Sequence, residues 1–320
     1  MSTTAIATPA IRAERIEGFD VVKLAAGELA ASFVPSLGMV GASLRHAGDE
    51  LLDRRGGLAA YRETGAVMGI PLLHPWANRL AAHEYEALGR HVTLPAGSPL
   101  VHCEEHGLPI HGLLAAHRGW RPVRARVSAG AARLRCRIDL GAFPDVLAAF
   151  PFPHVVTVDA TLTPRRLTIA TTIRPTGAVP VPVAFGHHPY LTLPGAVRDA
   201  WRVTLPARRH LDLDRRGIPT GRGAREDAVR FMLGDRAFDD SYDEVATGAA
   251  FAVEGGGRRI TVSHDACCPV AQLYSPAGAP FICFEPMTAP VNALRTGAGL
   301  RAVQPGDRFT AAFSIAVREV

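Results

Sequence analysis

The sequence predicts an all-β protein, built as a large antiparallel β-sandwich. Apolar residues recur at every second position along several segments, which is the period of strands with one buried face. The chain also contains 31 glycines and 25 prolines, which divide it into short runs. No segment shows the 3.6-residue period of a long amphipathic helix. Packed antiparallel sheets are therefore the expected architecture.

The clearest predicted strand covers residues 132–140, where apolar and polar residues alternate without a break. One helical turn is predicted at residues 145–149, directly after Pro144. The glycine run at residues 255–257 is short enough to be a hairpin loop. Less regular alternation predicts four further strands, at residues 156–162, 167–173, 201–205 and 309–317.

The length of 320 residues exceeds the usual size of one domain, but β-sandwiches often form one larger unit. We therefore predict a single domain over residues 16–320, preceded by a flexible N-terminal segment at residues 1–15; two domains are the less favoured alternative. Hydrophobic residues make up 48% of the chain and charged residues 20%, so a substantial core is expected and wholesale disorder is not.

The formal net charge is +5, and pairs of adjacent arginines are scattered along the chain without neighbouring aromatic residues. We interpret them as solvated surface residues and predict no nucleic-acid partner, because the sequence contains no recognisable basic stripe or motif. An anionic, phosphorylated substrate is kept as an alternative.

The five cysteines are an odd number and form no CxxC pair, which favours buried free thiols in a reducing compartment. The N terminus lacks the basic start and apolar core of a signal peptide, and no apolar run reaches membrane-spanning length. We expect a cytoplasmic protein without a membrane partner.

Two distant motifs supply complementary groups for proton transfer. His188 precedes Pro189, and Glu285 precedes Pro286. Proline biases the residue before it toward extended backbone, so each side chain is expected at a strand end. A histidine and a carboxylate can move protons in opposite directions across one small substrate. Each motif alone has a simpler explanation, a structural histidine or a Glu-Pro turn, so the hypothesis depends on their combination.

Polar residues also end the apolar segment 69–80. Asn78 and Arg79 offer an amide and a guanidinium, which are groups that read adjacent hydroxyls. Trp76 in the same segment can stack on a sugar, but an isolated tryptophan is more often a core residue.

Two further candidates lie in other segments. His111 is followed by Gly112, which lets backbone or ligand approach closely. Asp239 is predicted to lie in a loop, together with a second carboxylate. A lone histidine is more often structural, and a loop aspartate more often caps a turn.

Residues 102–106, His-Cys-Glu-Glu-His, match the spacing of a zinc motif that functions only on a helix. Pro99 precedes this run, and Gly107 and Pro109 follow it, so we predict a loop and no metal site.

Several motifs, in their order along the chain, resemble landmarks of the aldose 1-epimerase family, also called galactose mutarotase-like proteins. They are residues 27–33 (GELAASF), 36–38 (SLG), 150–153 (FPFP), 186–190 (GHHPY), 285–286 (EP) and 304–307 (QPGD). Each is weak alone, but their ordered conjunction covers most of the chain. The resemblance implies the family's extended sandwich of many antiparallel strands, in agreement with the two-residue period.

The resemblance also implies the catalytic residues. The catalytic histidine falls on His188, because Tyr190 follows at the spacing of the family's His-x-Tyr run; His187 lacks that spacing. The catalytic base falls on Glu285.

The implied sugar-binding residues are four. Arg79 matches the family's arginine with Asn78 before it, and His111 matches its first site histidine. Asp239 matches the aspartate of an Asp-x-x-aromatic pattern that Tyr242 closes.

Some residues depart from the family pattern. Met287 stands where relatives often carry tryptophan, Val291 and Asn292 replace a common Pro-Asp, and the segment at Gly112 lacks the second glycine of galactose-type members. The identity of the sugar is the property that these departures affect most.

The implied activity is that of an aldose 1-epimerase, an isomerase that interconverts the α and β anomers of an aldohexose without a cofactor. The alternatives are a hexose-6-phosphate mutarotase and a non-catalytic carbohydrate-binding protein on the same fold. A glycoside hydrolase that uses Asp239 and Glu285 is the least favoured. The expected partner is a small sugar, and the expected state is a monomer or homodimer.

Catalysis with Glu285 ionised and His188 protonated predicts a bell-shaped pH dependence of kcat/KM. We expect neighbouring carboxylates to raise the pKa of His188 against the opposing effect of burial. The optimum is then expected on the acid side of neutrality, with activity that persists to neutral pH.

Overall fold

Antiparallel strands dominate the computed structural model, which describes residues 8–320. About 51% of the chain is strand and 8% is helix, which confirms the predicted all-β class. The strands are β1 (Ala10–Ile16), β2 (Phe19–Ala26), β3 (Leu29–Val34), β4 (Val40–His46), β5 (Asp49–Glu50), β6 (Leu72–Leu73), β7 (Glu84–Ala87), β8 (Arg90–Thr93), β9 (Arg121–Ser128), β10 (Ala131–Asp139), β11 (His154–Thr163), β12 (Arg166–Pro175), β13 (Val181–Val183), β14 (Gly186–His187), β15 (Tyr190–Leu191), β16 (Arg202–Leu205), β17 (Arg208–Leu213), β18 (Pro219–Glu226), β19 (Val229–Met232), β20 (Phe238–Asp243), β21 (Ala250–Gly255), β22 (Arg258–His264), β23 (Val270–Ser275), β24 (Ile282–Met287), β25 (Arg301–Val303) and β26 (Phe309–Glu319). The helices are α1 (Gly57–Thr64), α2 (Pro144–Ala149) and α3 (Ala293–Thr296), with 3-10 turns at Leu140–Ala142 and Arg198–Ala200.

The strands form three large sheets and two short ribbons. The first sheet has the order β1-β2-β3-β4-β5, and a nine-stranded sheet has the order β19-β16-β21-β22-β26-β12-β11-β10-β9. The eight-stranded sheet runs β18-β17-β20-β23-β24-β14-β6, with β15 also paired to β24. The ribbons are β13-β25 and β7-β8. The ladders are antiparallel, as the turn-rich sequence predicts.

The predicted elements are found close to their expected bounds. Buried and exposed residues alternate along β10, which includes most of the predicted strand 132–140. The helical turn after Pro144 is α2, and the glycine run joins β21 to β22, with Gly255 opposite Arg258. Helix α1 was not predicted, because its eight residues bury only two side chains and give too short a period to recognise.

The predicted flexible N terminus is wrong for residues 10–15, which belong to β1. The whole of β1 pairs with β2, from Ala10 opposite Ala25 to Ile16 opposite Phe19. These ladder hydrogen bonds hold the segment, so the folded region begins before the predicted boundary at residue 16. Residues 1–7 lie outside the described part of the chain.

Strand β24 separates two sets of buried residues. Phe284 packs into the larger hydrophobic core, whereas Cys283 and Met287 pack into a second, smaller core. Glu285 alternates with Phe284 and therefore shares the face of Cys283 and Met287. The two-residue period thus places one buried carboxylate on the smaller-core side of the eight-stranded sheet.

All five cysteines are free, as expected, but only Cys136, Cys268 and Cys283 are buried, whereas Cys267 is half-buried and Cys103 is exposed. Within residues 8–320, none of the helices has the length and apolar character required to cross a membrane.

Candidate active site

A cavity of about 560 Å³ is lined by residues of the eight-stranded sheet and of the segment 55–115. This volume lies within the usual range for sites that bind small molecules. The lining includes all six residues predicted from the sequence: Asn78, Arg79, His111, His188, Asp239 and Glu285.

His188 and Glu285 are in contact at this cavity. His188 Nε2 lies 3.2 Å from Glu285 Oε1, and the two side chains are only 4% and 1% exposed. The Tyr190 ring stacks on the His188 ring, with centroids 4.4 Å apart and planes within 2° of parallel. Glu285 Oε2 has no hydrogen-bond partner within residues 8–320, so the carboxyl group keeps one unused acceptor.

Strand register brings Glu285 to the site. In the ladder between β23 and β24, Gln272 lies opposite Glu285, and Tyr274 lies opposite Cys283. Opposed and alternate residues share a face, so Gln272, Tyr274 and Glu285 project to the same side of the sheet. Gln272 Nε2 donates to Asp239 Oδ1 at 2.6 Å and so fixes the aspartate on neighbouring β20.

Alternation also separates the two adjacent histidines. His187 packs toward the nine-stranded sheet, where its Nε2 lies 3.0 Å from Thr171 Oγ1 and its ring centroid lies 4.9 Å from that of Phe313. His188 lines the cavity instead. The choice of His188 as the site histidine is consistent with this geometry, because its partner Tyr190 lies two residues further on.

Burial sets the protonation of the pair. Burial, followed by the charges of His111 and Arg55, lowers the pKa of His188 well below its ordinary value of 6.5. Burial, followed by Asp239, raises the pKa of Glu285 well above 4.5. Both shifts favour the uncharged forms, a neutral imidazole on His188 and a protonated carboxyl on Glu285. The expectation that carboxylates would raise the pKa of His188 is wrong, because desolvation dominates.

Arg79 is held on three sides by side-chain oxygens. Its Nη2 donates to Asp239 Oδ2 at 3.1 Å, and its Nη1 donates to Asn78 Oδ1 at 3.2 Å. Its Nε lies 3.6 Å from Glu104 Oε2. These contacts fix the guanidinium at the cavity, and a fixed fork of donors suits the recognition of hydroxyl groups.

Asn78 was predicted to bind hydroxyl groups of a ligand, but its side-chain oxygen instead orients Arg79. Its Oδ1 accepts from the Arg79 backbone N–H at 2.8 Å, in addition to the guanidinium. Its backbone oxygen accepts from the His111 N–H at 3.0 Å. Asn78 and His111 have φ angles of 55° and 63°, a left-handed conformation that costs free energy outside glycine and is frequent at functional sites. The Asn78 Nδ2 is the group left to contact a ligand.

His111 lies edge-on to His188, with ring centroids 5.4 Å apart. Burial, followed by the charge of Arg79, lowers the pKa of His111 to about 3, so the ring is neutral at physiological pH. Gly112 beside it has a φ of 74°, and an added Cβ would lie 2.2 Å from the His74 carbonyl oxygen. The predicted close approach at this glycine is therefore confirmed.

Asp239 lies on β20, so the prediction of a loop is wrong. It pairs with Tyr274 of β23, which places its side chain at the cavity. Tyr242, which closes the Asp-x-x-aromatic pattern, is buried away from the cavity lining and packs 4.9 Å from the His210 ring. The aspartate and the aromatic residue of this pattern therefore do not share one site.

Arg55 also lines the cavity, and sequence reasoning did not identify it. Its guanidinium carbon lies 5.6 Å from the centroid of the Tyr190 ring, and its Nη1 donates to the Val67 carbonyl at a long 3.4 Å. Its backbone N–H donates to Asp53 Oδ1 at 2.7 Å, but no carboxylate in residues 8–320 lies within 4 Å of its guanidinium nitrogens. Its φ of 47° is a left-handed conformation that the sequence does not signal.

Glu104 is a second residue that sequence reasoning missed as part of the site. Residues 102–106 form a loop, as predicted, and Glu104 Oε1 accepts from the backbone N–H groups of His106 and Leu108, at 2.9 and 3.0 Å. Glu104, Glu105 and His106 bring potential metal ligands within 4.8 Å of one another. Glu104 Oε2, however, faces Arg79, whose charge opposes a second cation at that position. The Glu104 carboxylate therefore helps to position the Arg79 guanidinium.

Trp76 and Trp120 are buried in the larger core and do not line the cavity. This confirms the interpretation of Trp76 as a core residue.

The sequence matches the family model described as aldose 1-epimerase over residues 20–316. No curated protein matches the sequence at a significant level. Among solved structures, a galactose mutarotase-like protein from Clostridium acetobutylicum aligns with a TM-score of 0.85 at 15% identity, over 98% of this chain and 99% of that chain.

Two further structures have a similar fold. The galactose 1-epimerase from Lactobacillus acidophilus NCFM aligns with a TM-score of 0.75 at 15% identity, over 98% of this chain and 99% of its own. The GalM/aldose epimerase homologue from C. elegans aligns with a TM-score of 0.72 at 16% identity, over 98% and 100%. At these identities the structural likeness establishes the fold, which agrees with the predicted mutarotase-like sandwich.

Proposed function

Because this chain belongs to the aldose 1-epimerase family, we propose that it is a mutarotase, an isomerase that interconverts the α and β anomers of an aldohexose. The observation that carries the proposal is the buried contact of 3.2 Å between His188 Nε2 and Glu285 Oε1 at the cavity. A binding site needs groups that read hydroxyls, but it does not need a matched acid and base at its centre.

Anomer exchange requires the sugar ring to open. Glu285, as the carboxylate, takes the proton of the C1 hydroxyl, and His188, as the imidazolium, gives a proton to the ring oxygen. The bond between C1 and the ring oxygen breaks, and C1 becomes an aldehyde carbon. The aldehyde rotates about the C1–C2 bond, and the ring closes with the two roles reversed. The number of protons on enzyme and sugar together is unchanged, and no electron is transferred.

The resting protonation of the pair adds one preparatory step. Burial leaves the single proton on Glu285, whereas ring opening in the direction above starts with it on His188. The proton crosses the 3.2 Å contact from Oε1 to Nε2, which generates carboxylate and imidazolium at no change in total charge. Hydroxyl donors of a bound sugar stabilise the carboxylate in place of water.

The other residues bind and orient the sugar. Arg79 and Asp239 offer a donor and an acceptor that are fixed to each other at 3.1 Å, which suits adjacent hydroxyls. Neutral His111 stabilises charge that develops on the ring oxygen by a hydrogen bond.

A phosphorylated aldose is the second candidate substrate, and Arg55 favours it. This residue lines the cavity, and no carboxylate in residues 8–320 lies within 4 Å of its guanidinium nitrogens. Arginine binds phosphate oxygens by paired hydrogen bonds. Replacement of Arg55 by Gln then lowers kcat/KM for glucose 6-phosphate and leaves that for glucose unchanged.

The proposal is tested by polarimetry or NMR of freshly dissolved α-glucose, α-galactose and glucose 6-phosphate, each with and without the protein. We expect faster approach to anomeric equilibrium with at least one of them. Sugar binding without any excess rate would instead support the non-catalytic carbohydrate-binding alternative.

A further inference from the structure

Six exposed arginines face one another in three pairs at the edge of the nine-stranded sheet. Strand β9 forms this edge, and the register of its ladder with β10 places arginine opposite arginine at three successive outward-facing positions. We call these six residues the arginine ladder: Arg126 opposite Arg133, Arg124 opposite Arg135 and Arg121 opposite Arg137. None of them lines the cavity described above.

The sequence interpretation of solvated surface arginines agrees with the exposure of these six residues, but its finding of no basic stripe is wrong at this surface. The alternation of residues 132–140 predicts a strand with one charged face. The partner strand β9 shows no regular alternation of apolar and polar residues, so the sequence does not predict that these two strands pair. A register shift between Arg135 and Cys136 is also needed to bring Arg121 opposite Arg137. The basic stripe is therefore a product of strand register, which the sequence alone does not reveal.

The charge of the ladder is almost uncompensated. Of the six ladder arginines, only Arg135 has a carboxylate of the described chain within 4 Å: its Nε lies 2.7 Å from Asp159 Oδ1. Arg121 Nη1 donates to the backbone carbonyls of Arg118 and Trp120 at 3.2 Å, which leaves its charge in place. Six arginines minus one aspartate give +5, which equals the formal net charge of the whole chain.

Like charges directly opposite each other destabilise a sheet, and here three such pairs follow one another. Residues 1–7 contain no carboxylate side chain that can neutralise them. A bound polyanion relieves this repulsion.

We propose that the arginine ladder is a docking surface for an extended acidic segment of a partner protein, with Asp or Glu at every second position. Side chains on one face of a strand are about 6.6 to 6.8 Å apart, and the same spacing holds for alternate side chains of any extended peptide. Each of the three facing pairs in the arginine ladder therefore matches one acidic position of the peptide. The two guanidinium groups of each facing pair then hydrogen-bond the same carboxylate, which has two acceptor oxygens.

A peptide fits this surface better than a nucleic acid does. The outward-facing residues of neighbouring β11 and β12 are small: Thr157, Asp159, Thr161, Thr168, Ala170 and Thr172. No aromatic ring stands among them on which a base can stack.

The test is fluorescence anisotropy with three labelled peptides: one of alternating Glu and Ser, its isomer with all Glu residues in one block, and the alternating peptide with Gln for Glu. We expect the alternating peptide to bind the full chain at low salt and to bind more weakly as salt rises. The block isomer binds at least about tenfold more weakly, and the Gln peptide does not bind.

A matched pair of variants locates the site. The double variant Arg124→Gln/Arg133→Gln removes one charge from each strand, from residues that have no carboxylate partner, and weakens binding about tenfold to a hundredfold. The control Arg215→Gln/Arg308→Gln removes the same charge elsewhere and leaves the affinity unchanged. The peptide raises Tm of the wild type and the control but not of the ladder variant, and each Tm without peptide shows that the variant is folded.

Four results would overturn the proposal. They are absence of binding by the alternating peptide, equal affinity for its block isomer, equal effects of the two double variants, and tighter binding of a single-stranded oligonucleotide or of phosphatidylserine vesicles than of the alternating peptide.

Discussion

His188 Nε2 and Glu285 Oε1 lie 3.2 Å apart in a buried contact. Desolvation disfavours the charged form of each residue, so the pair rests as a neutral imidazole beside a protonated carboxyl. The two possible positions of this proton correspond to the acid and base roles that ring opening and ring closure need in turn. The total proton count of the pair, and not the charge of one residue, therefore determines whether the site is active.

The pH dependence of kcat/KM follows from this proton count. The pKa of His188 lies well below 6.5, so the pair gains a second, inhibitory proton only in acid; the pKa of Glu285 lies well above 4.5, so the active proton persists as pH rises. We expect a broad bell that includes neutral pH. Rates across acidic to alkaline buffers, corrected for uncatalysed exchange, check this. A falling limb at the ordinary histidine value of 6.5 would contradict the assigned protonation.

The adjacent histidines make a matched pair for mutation. We expect His188→Asn to lower kcat/KM roughly 10²- to 10⁴-fold with little change in Tm. His187→Asn should lower Tm instead, because it loses the contacts with Thr171 and Phe313 in the core, and should leave kcat close to the wild type. If His188→Asn and His187→Asn both fold and lose activity equally, His188 is not the specific catalytic histidine.

Glu104 is predicted to act through Arg79. Glu104→Gln keeps the acceptor for the two backbone N–H groups but loses the charge that faces Arg79 Nε at 3.6 Å. We expect KM to rise by about three- to tenfold while kcat stays within about twofold, because a less ordered guanidinium costs about 1 kcal/mol of sugar binding.

Arg79→Ala is the reference for this prediction. Removal of the guanidinium should cost about 1.5 to 3 kcal/mol in kcat/KM, more than Glu104→Gln. Steady-state kinetics and a thermal melt on each variant separate binding from folding. If Glu104→Gln lowers kcat and leaves KM unchanged, Glu104 has a role other than positioning Arg79.

Buried histidines predict loss of stability in acid. Burial lowers the pKa of His187 to about 3 and that of His264 to about 4, whereas the unfolded chain protonates its histidines near 6.5. Their contribution to stability is therefore complete above pH 6.5 and is lost as pH falls toward 4 and 3. Each such histidine adds about 1.4 kcal/mol per pH unit to the slope of the free energy of unfolding.

Urea unfolding between neutral pH and pH 5 measures this slope. We expect His264→Phe to reduce it by about 1.4 kcal/mol per pH unit, because one fewer group takes up a proton on unfolding. His91, which is exposed on β8, is the control position. An unchanged slope in His264→Phe would show that this histidine is protonated in the folded protein.

Much of the fold and of the site was predictable because both depend on local patterns. The two-residue period identified strands such as β10 and β11, and the prolines after His188 and Glu285 indicated extended backbone at those residues. The family resemblance then assembled six residues that the structure brings to one cavity.

The remainder depends on register and burial, which a single sequence does not reveal. Asp239 lies on a strand because β17 and β23 pair with β20 on its two sides, and Glu104 reaches Arg79 only through the path of a loop. The protonation of His188 was mispredicted because complete desolvation outweighs the nearby carboxylates. The arginine ladder likewise requires the pairing of β9 with β10.

The central claim is that Glu285 carries the proton transfer of anomer exchange, and the most direct test is NMR exchange spectroscopy between the anomeric protons of an accepted aldose. Glu285→Gln keeps the shape of the side chain but removes its basicity. We predict that this variant loses exchange roughly 10²- to 10⁴-fold, while its Kd for the sugar stays within about tenfold of the wild type. Exchange close to the wild-type rate in folded, sugar-binding Glu285→Gln would contradict the account.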